Sequence, residues 1–469
     1  METNRFATAI LAAGKGTRLK SKRAKVLHSI AGKPLLQHVL DAVLQVTRPD
    51  RVFVVVGHQA QEVERAVGAT GVHFVPQTEQ LGTGHAVQCL RQAVRDADHL
   101  LVLSGDVPLI RPETMERLCT FHLAQKAAMT ILTARPANPF GYGRILRAAP
   151  DSPDVAAIVE QKALAPDQQH LGEINSGIYA FRIDTLYRYI DSLQSGNAHG
   201  EYYLTDMAAI LRTAGERVVA LETADATEVL GANTIAEMME LDAALRMETA
   251  RRLMAQGVTI QRPETCVIDA AVTVGPDTVL EPFVQLLGNT RIGADCSIRS
   301  YSVIQNSTLG DNVLVRNSCV LDESTVDSGA VIGPFAHLRP GSRIGREAHV
   351  GNFVETKNAR VGEKSKANHL TYLGDVSIGS GCNIGAGVIT CNYDGVNKHP
   401  TQIGDRVFVG SNSTLVAPVS LEDDSYVAAA SCITELVPSG ALALGRARQA
   451  VKPDWVKQRR AAQAKKRSG

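Results

Sequence analysis

The feature of the sequence that most constrains its fold is a six-residue period of small aliphatic residues in the second half. Between Val258 and about Val437 an aliphatic residue recurs every six positions and is often followed by glycine. This period predicts a parallel β-helix, whose inward aliphatic side chains stack from coil to coil. At about 18 residues a coil, the segment would hold on the order of ten coils. The clearest pairs are Val274-Gly275, Ile292-Gly293, Ile332-Gly333, Ile344-Gly345, Ile378-Gly379, Ile384-Gly385, Ile403-Gly404 and Val409-Gly410.

A β-sandwich is the alternative for an all-β segment of this length. It would need polar and apolar residues that alternate along each strand, and hairpin turns between the strands. Residues 258–437 lack both patterns, so the β-helix is the favoured prediction.

The first 230 residues show a different order. Apolar runs typical of strands, such as Val52–Val56 and Leu100–Leu103, alternate with longer stretches typical of helices. This order predicts an α/β domain on an open parallel sheet. Ligands of such sheets collect outside the carboxyl ends of the strands. The residues that follow the two runs, Gly57 and Ser104-Gly105-Asp106, are therefore expected near a site.

These changes of pattern divide the 469 residues into four parts. We expect an α/β domain over 1–231, a helical arm over 232–256, the β-helix over 257–445 and a basic tail over 446–469. Apolar residues recur at three- and four-residue spacing in the arm, as in an amphipathic helix. A short basic tail of this kind is expected to be solvated. A basic run alone is also weak support for nucleic-acid binding.

Composition restricts the partners and the compartment. The formal net charge of +1 gives no global field to attract nucleic acid or an anionic membrane. No run of about 20 apolar residues occurs, so we predict neither export nor a membrane span. The eight cysteines include no Cys-x-x-Cys pair, which predicts reduced thiols and a cytoplasmic protein.

A glycine-containing loop follows the first apolar run. It reads Leu11-Ala12-Ala13-Gly14-Lys15-Gly16-Thr17-Arg18 and precedes Lys25. Its glycines allow the backbone to approach a phosphate closely, and Lys15, Arg18 and Lys25 can neutralise the charge. The spacing fits neither a P-loop nor a Rossmann dinucleotide motif.

This loop is one of several motifs that together resemble a known family. The others are Lys25-Val26-Leu27-His28, the run Gln77-Thr78-Glu79-Gln80-Leu81-Gly82-Thr83-Gly84-His85-Ala86, and Ser104-Gly105-Asp106-Val107-Pro108-Leu109. They resemble sugar-nucleotide pyrophosphorylases. Together with the repeats, they resemble the family of bifunctional N-acetylglucosamine-1-phosphate uridylyltransferases/glucosamine-1-phosphate acetyltransferases over nearly the whole chain.

The resemblance implies a Rossmann-like α/β nucleotidyltransferase domain that uses UTP and Mg²⁺. Arg18 and Lys25 would act in catalysis on the phosphates, and Asp106 and Asn233 would hold the magnesium ion. Ser104 stands where some relatives have an aromatic residue, which leaves its side-chain contact open. The residues implied to bind UDP-N-acetylglucosamine are Leu11, Ala12, Ala13, Gly14, Lys25, Gln77, Gly82, Thr83, Ser104, Gly105, Asp106, Gly143, Glu160, Asn175 and Asn233.

Polar segments interrupt the repeats within a few coils. A repeat scaffold needs only small and aliphatic residues, so such a cluster indicates a site, although a surface loop is the simpler reading of any one segment. The segments are Arg339-Pro340-Gly341, Asn352-Phe353-Val354-Glu355-Thr356-Lys357, Lys366–Asp375 and Thr390-Cys391-Asn392-Tyr393-Asp394-Gly395.

For these segments the resemblance implies a left-handed β-helix that transfers an acetyl group. His369 would be the general base, and Cys391 would be incidental because the amine can attack the thioester directly. Glucosamine 1-phosphate would bind Arg339, Lys357, Tyr372 and Asn383. Acetyl-coenzyme A would bind Ala386, Asn392, Tyr393, Ser411, Ala429 and Arg446. Such β-helices pack as trimers, so a homotrimer is expected.

Two alternatives stay open from the sequence. In the first, the β-helix of a pyrophosphorylase serves only assembly and regulation, and the cluster of Arg339, Lys357, His369 and Tyr372 speaks against it. In the second, the β-helix is a structural scaffold or a zinc site of the carbonic-anhydrase type. Its possible ligands, His337, His349 and His369, lie in motifs that match the acetyltransferase instead.

Overall fold

The computed structural model describes residues 5–150, 152–196 and 200–467, and the chain divides into two compact units. Unit 1 is Met1–Glu248 and unit 2 is Thr249–Gly469.

Unit 1 is an α/β domain, as predicted. Its strands are β1 (Phe6–Leu11), β2 (Ser29–Ile30), β3 (Lys33–Pro34), β4 (Val52–Val56), β5 (His73–Pro76), β6 (His99–Ser104), β7 (Met129–Ala134), β8 (Arg144–Arg147), β9 (Val155–Val159), β10 (Ile174–Arg182) and β11 (Val218–Glu222). Its helices are α1 (Leu35–Val43), α2 (Ala60–Val67), α3 (Thr83–Cys89), α4 (Pro112–Gln125), α5 (Ile183–Tyr189) and α6 (Met207–Thr213), and α7 (Ile235–Ala255) runs across the division between the units. Short 3₁₀ turns include Thr17–Leu19, Lys25–Leu27 and Leu204–Asp206.

The main sheet runs in the order β11-β7-β10-β6-β1-β4-β5. All neighbours on this path pair in parallel except β10, which is antiparallel to β6 and β7. Along β1, Phe6 and Ile10 pack into one apolar cluster while Ala7 and Ala9 pack into another. Successive side chains of a strand point to opposite faces, so both faces of this sheet are covered, as is usual for parallel strands.

The pairing register of β1 and β6 places the carboxyl ends of these two strands side by side. Leu11, the last residue of β1, is the Cα partner of Ser104, the last residue of β6. The loop after Leu11 and the Gly105-Asp106 pair therefore leave the sheet side by side. The carboxyl edge predicted to hold the site is where these two segments lie.

Unit 2 is a left-handed parallel β-helix, as predicted. The first of its three faces has 11 parallel strands: Thr259–Ile260, Val279–Leu280, Ser297–Ile298, Leu314–Val315, Val331–Ile332, His349–Asn352, Lys366–His369, Asn383–Ile384, Phe408–Val409, Tyr426–Val427 and Leu442–Ala443. The second has 10: Val267–Ile268, Gln285–Leu287, Val303–Gln305, Val320–Asp322, His337–Leu338, Glu355–Lys357, Tyr372–Gly374, Ile389–Cys391, Thr414–Val416 and Cys432–Ile433. The third has 9: Thr273–Val274, Arg291–Ile292, Thr308–Leu309, Thr325–Val326, Arg343–Ile344, Arg360–Val361, Val376–Ile378, Thr401–Ile403 and Val419–Leu421.

Inward side chains from the strands of all three faces form the core of this β-helix. On the first face, for example, Ile298, Val315, Ile332 and Val350 occupy adjacent coils and are completely buried. A coil has no apolar partner except its neighbours, so its stability depends on them. This stacking of inward side chains is the reason for the six-residue period in the sequence.

One coil is longer than the others. Asn383 is the Cα partner of Phe408, a step of 25 residues, whereas Lys366 pairs with Asn383 and Phe408 with Tyr426 at steps of 17 and 18. The extra residues form a loop around the antiparallel bridge between Tyr393 and Lys398.

The basic tail contains helix α8 (Trp455–Arg467), whose side chains are all exposed. Within the residues that the structure describes, no helix has the length and apolarity needed to cross a membrane.

A buried histidine pair links β6, α4 and β7 in unit 1. His99 Nδ1 lies 3.1 Å from His122 Nε2, and His122 Nδ1 lies 2.8 Å from the Thr130 hydroxyl. Burial, followed by the charges of His99 and Arg182, lowers the pKa of His122 to about 3. The His122 ring is therefore neutral in the folded protein.

We predict that unit 1 loses stability in mild acid through His122. A histidine with a depressed pKa stabilises the fold above its unfolded pKa of about 6.5, and this contribution falls as the pH drops towards 3. Between pH 7 and pH 5 the free energy of unfolding should fall by about 2 kcal/mol on this account. Hydrogen exchange of β6 and β7 peptides measures it.

The matched variants are His122→Gln, which cannot titrate, and His170→Gln at an exposed position. His122→Gln should show a clearly flatter pH dependence, and His170→Gln should follow the wild type. Equal pH dependence in all three proteins would contradict the assignment.

Candidate active sites

The loop after β1 is held against the ends of its neighbouring strands. Ala12 N–H donates to the Val55 carbonyl at 2.9 Å, and Gly105 N–H donates to the Leu11 carbonyl at 2.9 Å. A Cβ on Gly105 would lie only 3.2 Å from the Leu11 oxygen, so the two segments approach closely. The predicted nucleotide-binding run, Leu11 to Gly14, therefore lies beside Asp106.

Four predicted residues from distant parts of unit 1 meet at this edge. The Asn233 side-chain oxygen accepts hydrogen bonds from Arg18 Nη2 at 2.8 Å and from Lys25 Nζ at 3.1 Å. Lys25 also forms an ion pair with Asp106, and the Ser104 hydroxyl donates to the Asp106 carboxylate. Ser104 is thus positioned beside Asp106, and its contact with a ligand stays a prediction.

Local backbone features position these groups. Gly16 has a φ of 61°, and a Cβ there would lie 2.7 Å from the Lys25 Cβ, so glycine allows the lysine stem to pass. Asn233 N–H donates to the Glu237 carboxylate at 2.8 Å, and Glu237 N–H donates to the Thr234 hydroxyl at 3.2 Å. These bonds fix Asn233 at the start of α7.

The residues predicted to read the base lie around α3. Gln77 is buried, and its Nε2 donates to the Gly82 carbonyl at 3.0 Å and lies 3.2 Å from His85 Nδ1. The Thr83 hydroxyl accepts a hydrogen bond from Leu204 N–H at 3.0 Å. Gln77, Gly82 and Thr83 are therefore brought together.

A segment that the sequence did not reveal supports this loop. Tyr202 N–H donates to the Leu81 carbonyl, and Gly84 N–H donates to the Tyr202 carbonyl, both at 2.8 Å. The pairing is between backbone groups more than 100 residues apart in the chain. Glycine is required at 82 and 84, where a Cβ would lie 2.7 Å and 3.0 Å from the Tyr202 backbone oxygen. The bonds use only the backbone of Tyr202, so the sequence did not reveal which segment would pair with these glycines.

The three residues predicted to read the sugar also meet. Asn175 N–H donates to the Gly143 carbonyl at 2.9 Å, and a Cβ on Gly143 would lie 3.5 Å from a Glu160 carboxylate oxygen. Burial, and then the charge of Asp206, raises the pKa of Glu160. The Asn175 amide donates to the Tyr179 hydroxyl at 2.9 Å.

In unit 2, His369 ends a strand of the first face at the corner that leads to the second face. Its side chain is exposed. Its carbonyl accepts hydrogen bonds from the Thr371 hydroxyl at 2.7 Å and from Gly387 N–H at 3.2 Å. The backbone is therefore fixed while the ring stays accessible.

Three of the four residues predicted for the sugar phosphate lie on adjacent coils of the second face. Arg339 Nη1 donates to the Glu355 carboxylate at 2.8 Å, and Glu355 is the Cα partner of Tyr372. Lys357 is the Cα partner of Gly374, where a Cβ would collide with the Tyr372 hydroxyl. Arg339, Lys357 and Tyr372 thus share one surface of the second face, while Asn383 lies on the first face as the partner of Lys366.

A second lysine, missed from the sequence, joins Lys357. Contact with Lys398, on the loop of the longest coil, lowers the pKa of Lys357. Asp394 orders that loop by accepting hydrogen bonds from Val396 N–H at 2.8 Å and Asn397 N–H at 2.6 Å. Two adjacent cations are a site for an anion, and Lys398 reaches it only through the inserted loop.

The residues predicted for acetyl-coenzyme A continue along the same corner. Asn412 N–H donates to the Ala386 carbonyl at 2.7 Å, and Ala430 N–H donates to the Ser411 carbonyl at 2.8 Å. Ala386, Ser411 and Ala429 therefore follow one another on successive coils. Three further residues lie elsewhere: Asn392 donates to the Asp375 carboxylate, Tyr393 is exposed on the inserted loop, and Arg446 is exposed after the last coil.

The size of the corner residues changes at His369. In the coil of His369 and the two coils before it, the corner position of left-handed backbone carries Leu370, Phe353 and Phe335, which are at least half exposed. After it, the equivalent positions of left-handed backbone carry Gly387, Asn412 and Ala430. The step from bulky to small residues leaves room for an extended ligand on the carboxyl-terminal side of His369.

Two threonines replace aliphatic residues in the stack beneath this site. Thr356 and Thr390 are buried inward residues of the second face. The Thr390 hydroxyl accepts a hydrogen bond from Gly374 N–H at 2.8 Å, which holds the strand that carries Tyr372. These breaks of the aliphatic period were a signal that the sequence offered.

The histidines of the zinc alternative are distributed over two faces. His337 lies on the second face, and His349 and His369 lie on the first. Across residues 5–150, 152–196 and 200–467, no group of three or more His, Cys, Asp or Glu side chains is arranged to hold a metal ion.

The fold and the two sites define the class as a nucleotidyltransferase joined to a hexapeptide-repeat acyltransferase. Residues 8–165 match the MobA-like NTP transferase domain family. Residues 271–306 match the bacterial transferase hexapeptide (six repeats), and residues 400–435 match the hexapeptide repeat of succinyl-transferase.

Curated relatives match over nearly the whole chain. The bifunctional protein GlmU of Koribacter versatilis is 61% identical over 100% of both chains. The proteins of the same name from Solibacter usitatus and Clostridioides difficile are 49% and 44% identical, over 96% and 97% of this chain and 97% and 98% of theirs. The chain belongs to the GlmU family. It is a bifunctional enzyme that transfers a uridylyl group and an acetyl group.

We predict that Thr390→Val reduces the rate of acetyl transfer, because it loosens the strand Tyr372–Gly374. Valine keeps the volume but removes the hydroxyl that accepts the Gly374 hydrogen bond, which costs about 1–2 kcal/mol of stability. The acetyl-transfer rate should fall several-fold, measured as release of coenzyme A thiol.

Thr278→Val is the matched control. The buried Thr278 hydroxyl also accepts a backbone hydrogen bond, from Cys296 N–H at 3.0 Å, on a coil far from His369 in sequence. It should lose similar stability and keep its acetyl-transfer rate. A Thr390→Val rate equal to that of the control would refute this role.

Proposed function

We propose that unit 2 transfers the acetyl group of acetyl-coenzyme A to the amine of glucosamine 1-phosphate. His369 accepts a proton from the attacking amine, the amine nitrogen bonds to the thioester carbonyl carbon, and the coenzyme A thiol leaves. Histidine suits this task because its ordinary pKa is near neutrality. The accessible ring on a fixed backbone supports the assignment.

The phosphate of glucosamine 1-phosphate binds Arg339 and Lys357, with Tyr372 and Asn383 around the sugar. The guanidinium and ammonium groups supply charge and hydrogen-bond donors for this anion. The adjacent Lys398 supports the same reading, because an anion between the two lysines relieves their repulsion.

Acetyl-coenzyme A lies along the corner on the carboxyl-terminal side of His369. The small residues Ala386, Ser411 and Ala429 leave space for an extended chain. We assign Asn392, Tyr393 and Arg446 to the same ligand, although within one chain they lie away from this corner. A backbone N–H near Ala386 is the donor we assign to the oxyanion of the tetrahedral intermediate.

Unit 1 then transfers a uridylyl group from UTP to N-acetylglucosamine 1-phosphate and releases pyrophosphate. The sugar phosphate oxygen attacks the α-phosphorus in line. Arg18 and Lys25 neutralise charge on the phosphates, and the backbone of Leu11, Ala12, Ala13 and Gly14 with Gly105 lies along the nucleotide. Positioning and electrostatics supply most of the rate enhancement.

Magnesium fits the residues at this edge. Asp106 and Asn233 offer two oxygen ligands, a usual protein share for an ion that also binds substrate phosphates. Both oxygens already contact the Lys25 ammonium group, so a cation is acceptable between them. When bound, magnesium would offset charge on the reacting phosphates.

Gln77, Gly82 and Thr83 select the base, and Gly143, Glu160 and Asn175 select the sugar. The Glu160 carboxylate and the Asn175 amide provide hydrogen bonds for hydroxyl and acetamide groups. The product, UDP-N-acetylglucosamine, serves cell-envelope polymers. The domain limits we propose are 1–231 for this activity and 257–445 for acetyl transfer, with 232–256 as the arm and 446–469 as the tail.

We place the enzyme in the cytoplasm as a homotrimer. All eight cysteines are free thiols, as expected in a reducing compartment. The surface we assign to the trimer contact includes Phe335 and Phe353, which stack at 5.3 Å and are 50% and 56% exposed. Exposed stacked aromatic residues are typical of protein interfaces.

The observation that carries the proposal is the meeting of Arg18, Lys25, Asp106 and Asn233 at one strand edge, in a chain whose β-helix also carries an exposed His369 on a fixed backbone. We predict that Asp106→Asn abolishes uridylyl transfer to supplied N-acetylglucosamine 1-phosphate and leaves acetyl transfer intact. His369→Gln should do the reverse. The losses should be about 100-fold or more. Colorimetric assays of pyrophosphate and of coenzyme A thiol measure the two activities separately.

Each variant is the control for the other. Loss of both activities in either variant, or of neither, would overturn the assignment of the two sites.

For the assembly, we predict that Phe353→Ser converts the trimer to smaller species and reduces acetyl transfer. A polar side chain removes apolar area from the contact. Light scattering after size exclusion measures the mass against the 50.2 kDa chain. Phe140→Ser, at an exposed position of unit 1, should remain trimeric. A trimeric Phe353→Ser protein would remove this surface from the proposal.

A further inference from the structure

We propose that Gly231 is a positioning residue for uridylyl transfer, because its missing side chain lets the segment before α7 lie directly against the Asp106 carboxylate. The inference rests on the proposed roles of Asp106 and Asn233. It adds a residue that contacts neither substrate in that proposal.

The approach of Gly231 to Asp106 is close. A Cβ on Gly231 would lie 3.1 Å from the Asp106 Oδ2 atom and 3.4 Å from both its Cγ and its backbone oxygen. The φ of Gly231 is outside the left-handed region, so alanine could adopt the same backbone conformation. The requirement for glycine is therefore steric.

Asp106 has little freedom to move away. Its side chain is only 14% exposed. The Lys25 ammonium group pairs with one carboxylate oxygen, and the Ser104 hydroxyl donates to the other. The backbone next to it is held by the hydrogen bond from Gly105 to Leu11. A displaced carboxylate would have to break one of these contacts.

Tyr142 is a second neighbour of Gly231, and its ring packs against an apolar cluster of unit 1. Burial raises the pKa of Tyr142, and the nearby Gly231 backbone opposes that rise.

Asn233 follows two residues later and shares the Lys25 cation with Asp106. The distance between the two proposed magnesium ligands, Asp106 and Asn233, therefore depends on how closely Gly231 approaches Asp106. A methyl group at 231 should separate them by a few tenths of an ångström or rotate the carboxylate. Catalysis by positioning is sensitive to shifts of this size.

Gly231→Ala in the full-length enzyme tests the inference, with Gly68→Ala as the matched control. A Cβ at Gly68 would meet no atom within 4 Å, and its φ of −62° suits alanine. Three quantities are measured beside acetyl transfer. They are kcat and KM for uridylyl transfer, and the affinity for Mn²⁺ in the presence of UTP, from the electron paramagnetic resonance of free Mn²⁺.

We expect Gly231→Ala to lower kcat for uridylyl transfer by about tenfold or more. The Mn²⁺ dissociation constant should rise about tenfold, while acetyl transfer and KM for N-acetylglucosamine 1-phosphate stay near the control values. Normal kcat would overturn the inference. A fall in kcat with unchanged Mn²⁺ affinity would also overturn it, because the effect would then be general distortion of unit 1.

The Asp106→Ala variant distinguishes a failure of this inference from a failure of the proposed function on which it rests. If Asp106→Ala keeps both uridylyl transfer and Mn²⁺ affinity, the proposed site itself fails. If Asp106→Ala loses both and Gly231→Ala loses neither, only the role of Gly231 is wrong.

Discussion

Stacking of inward aliphatic side chains between neighbouring coils holds unit 2 together, and it restricts where chemistry can occur. An interior of residues such as Ile332 and Val350 has no room for polar groups without hydrogen-bond partners. Reactive side chains must therefore lie outward or at corners, on coils whose spacing the stack sets. Parallel pairing then brings Arg339 and Lys357 to one surface of the second face, whereas His369 aligns with Asn352 at the end of the first face.

The exceptions to the stack are as informative as the stack itself. Thr390 lies where an aliphatic residue would complete the column, and its hydroxyl is used to hold Gly374. The longest coil adds a loop that carries Lys398 to Lys357. A regular repeat would provide neither, so each departure from the period places a polar group beside the proposed acetyl site. In unit 1 a different constraint applies, because the matched ends of β1 and β6 bring the phosphate loop and Asp106 together at the edge of a parallel sheet.

The sequence predicted most of what is local or repeated. The aliphatic period predicted the β-helix, and the apolar runs at Val52–Val56 and Leu100–Leu103 correspond to β4 and β6. Most of the predicted site residues lie in motifs that are continuous in the chain, and their roles remain predictions. What the sequence could not predict depends on contacts between distant segments. Tyr202 supports the base-reading loop through backbone hydrogen bonds alone, and Gly231 matters only because Asp106 lies 3.1 Å from its hypothetical Cβ. The His99–His122 pair is of the same kind, since neither histidine lies in a motif.

The central claim is that one chain acetylates a sugar phosphate and then uridylylates the product. A ³¹P NMR time course with the wild-type enzyme, glucosamine 1-phosphate, acetyl-coenzyme A and magnesium tests it most directly. The account predicts that N-acetylglucosamine 1-phosphate accumulates first, and that later addition of UTP converts it to a diphosphate sugar with release of pyrophosphate. If no acetylated sugar phosphate forms before UTP is added, or if UTP reacts equally well with glucosamine 1-phosphate, the account is contradicted.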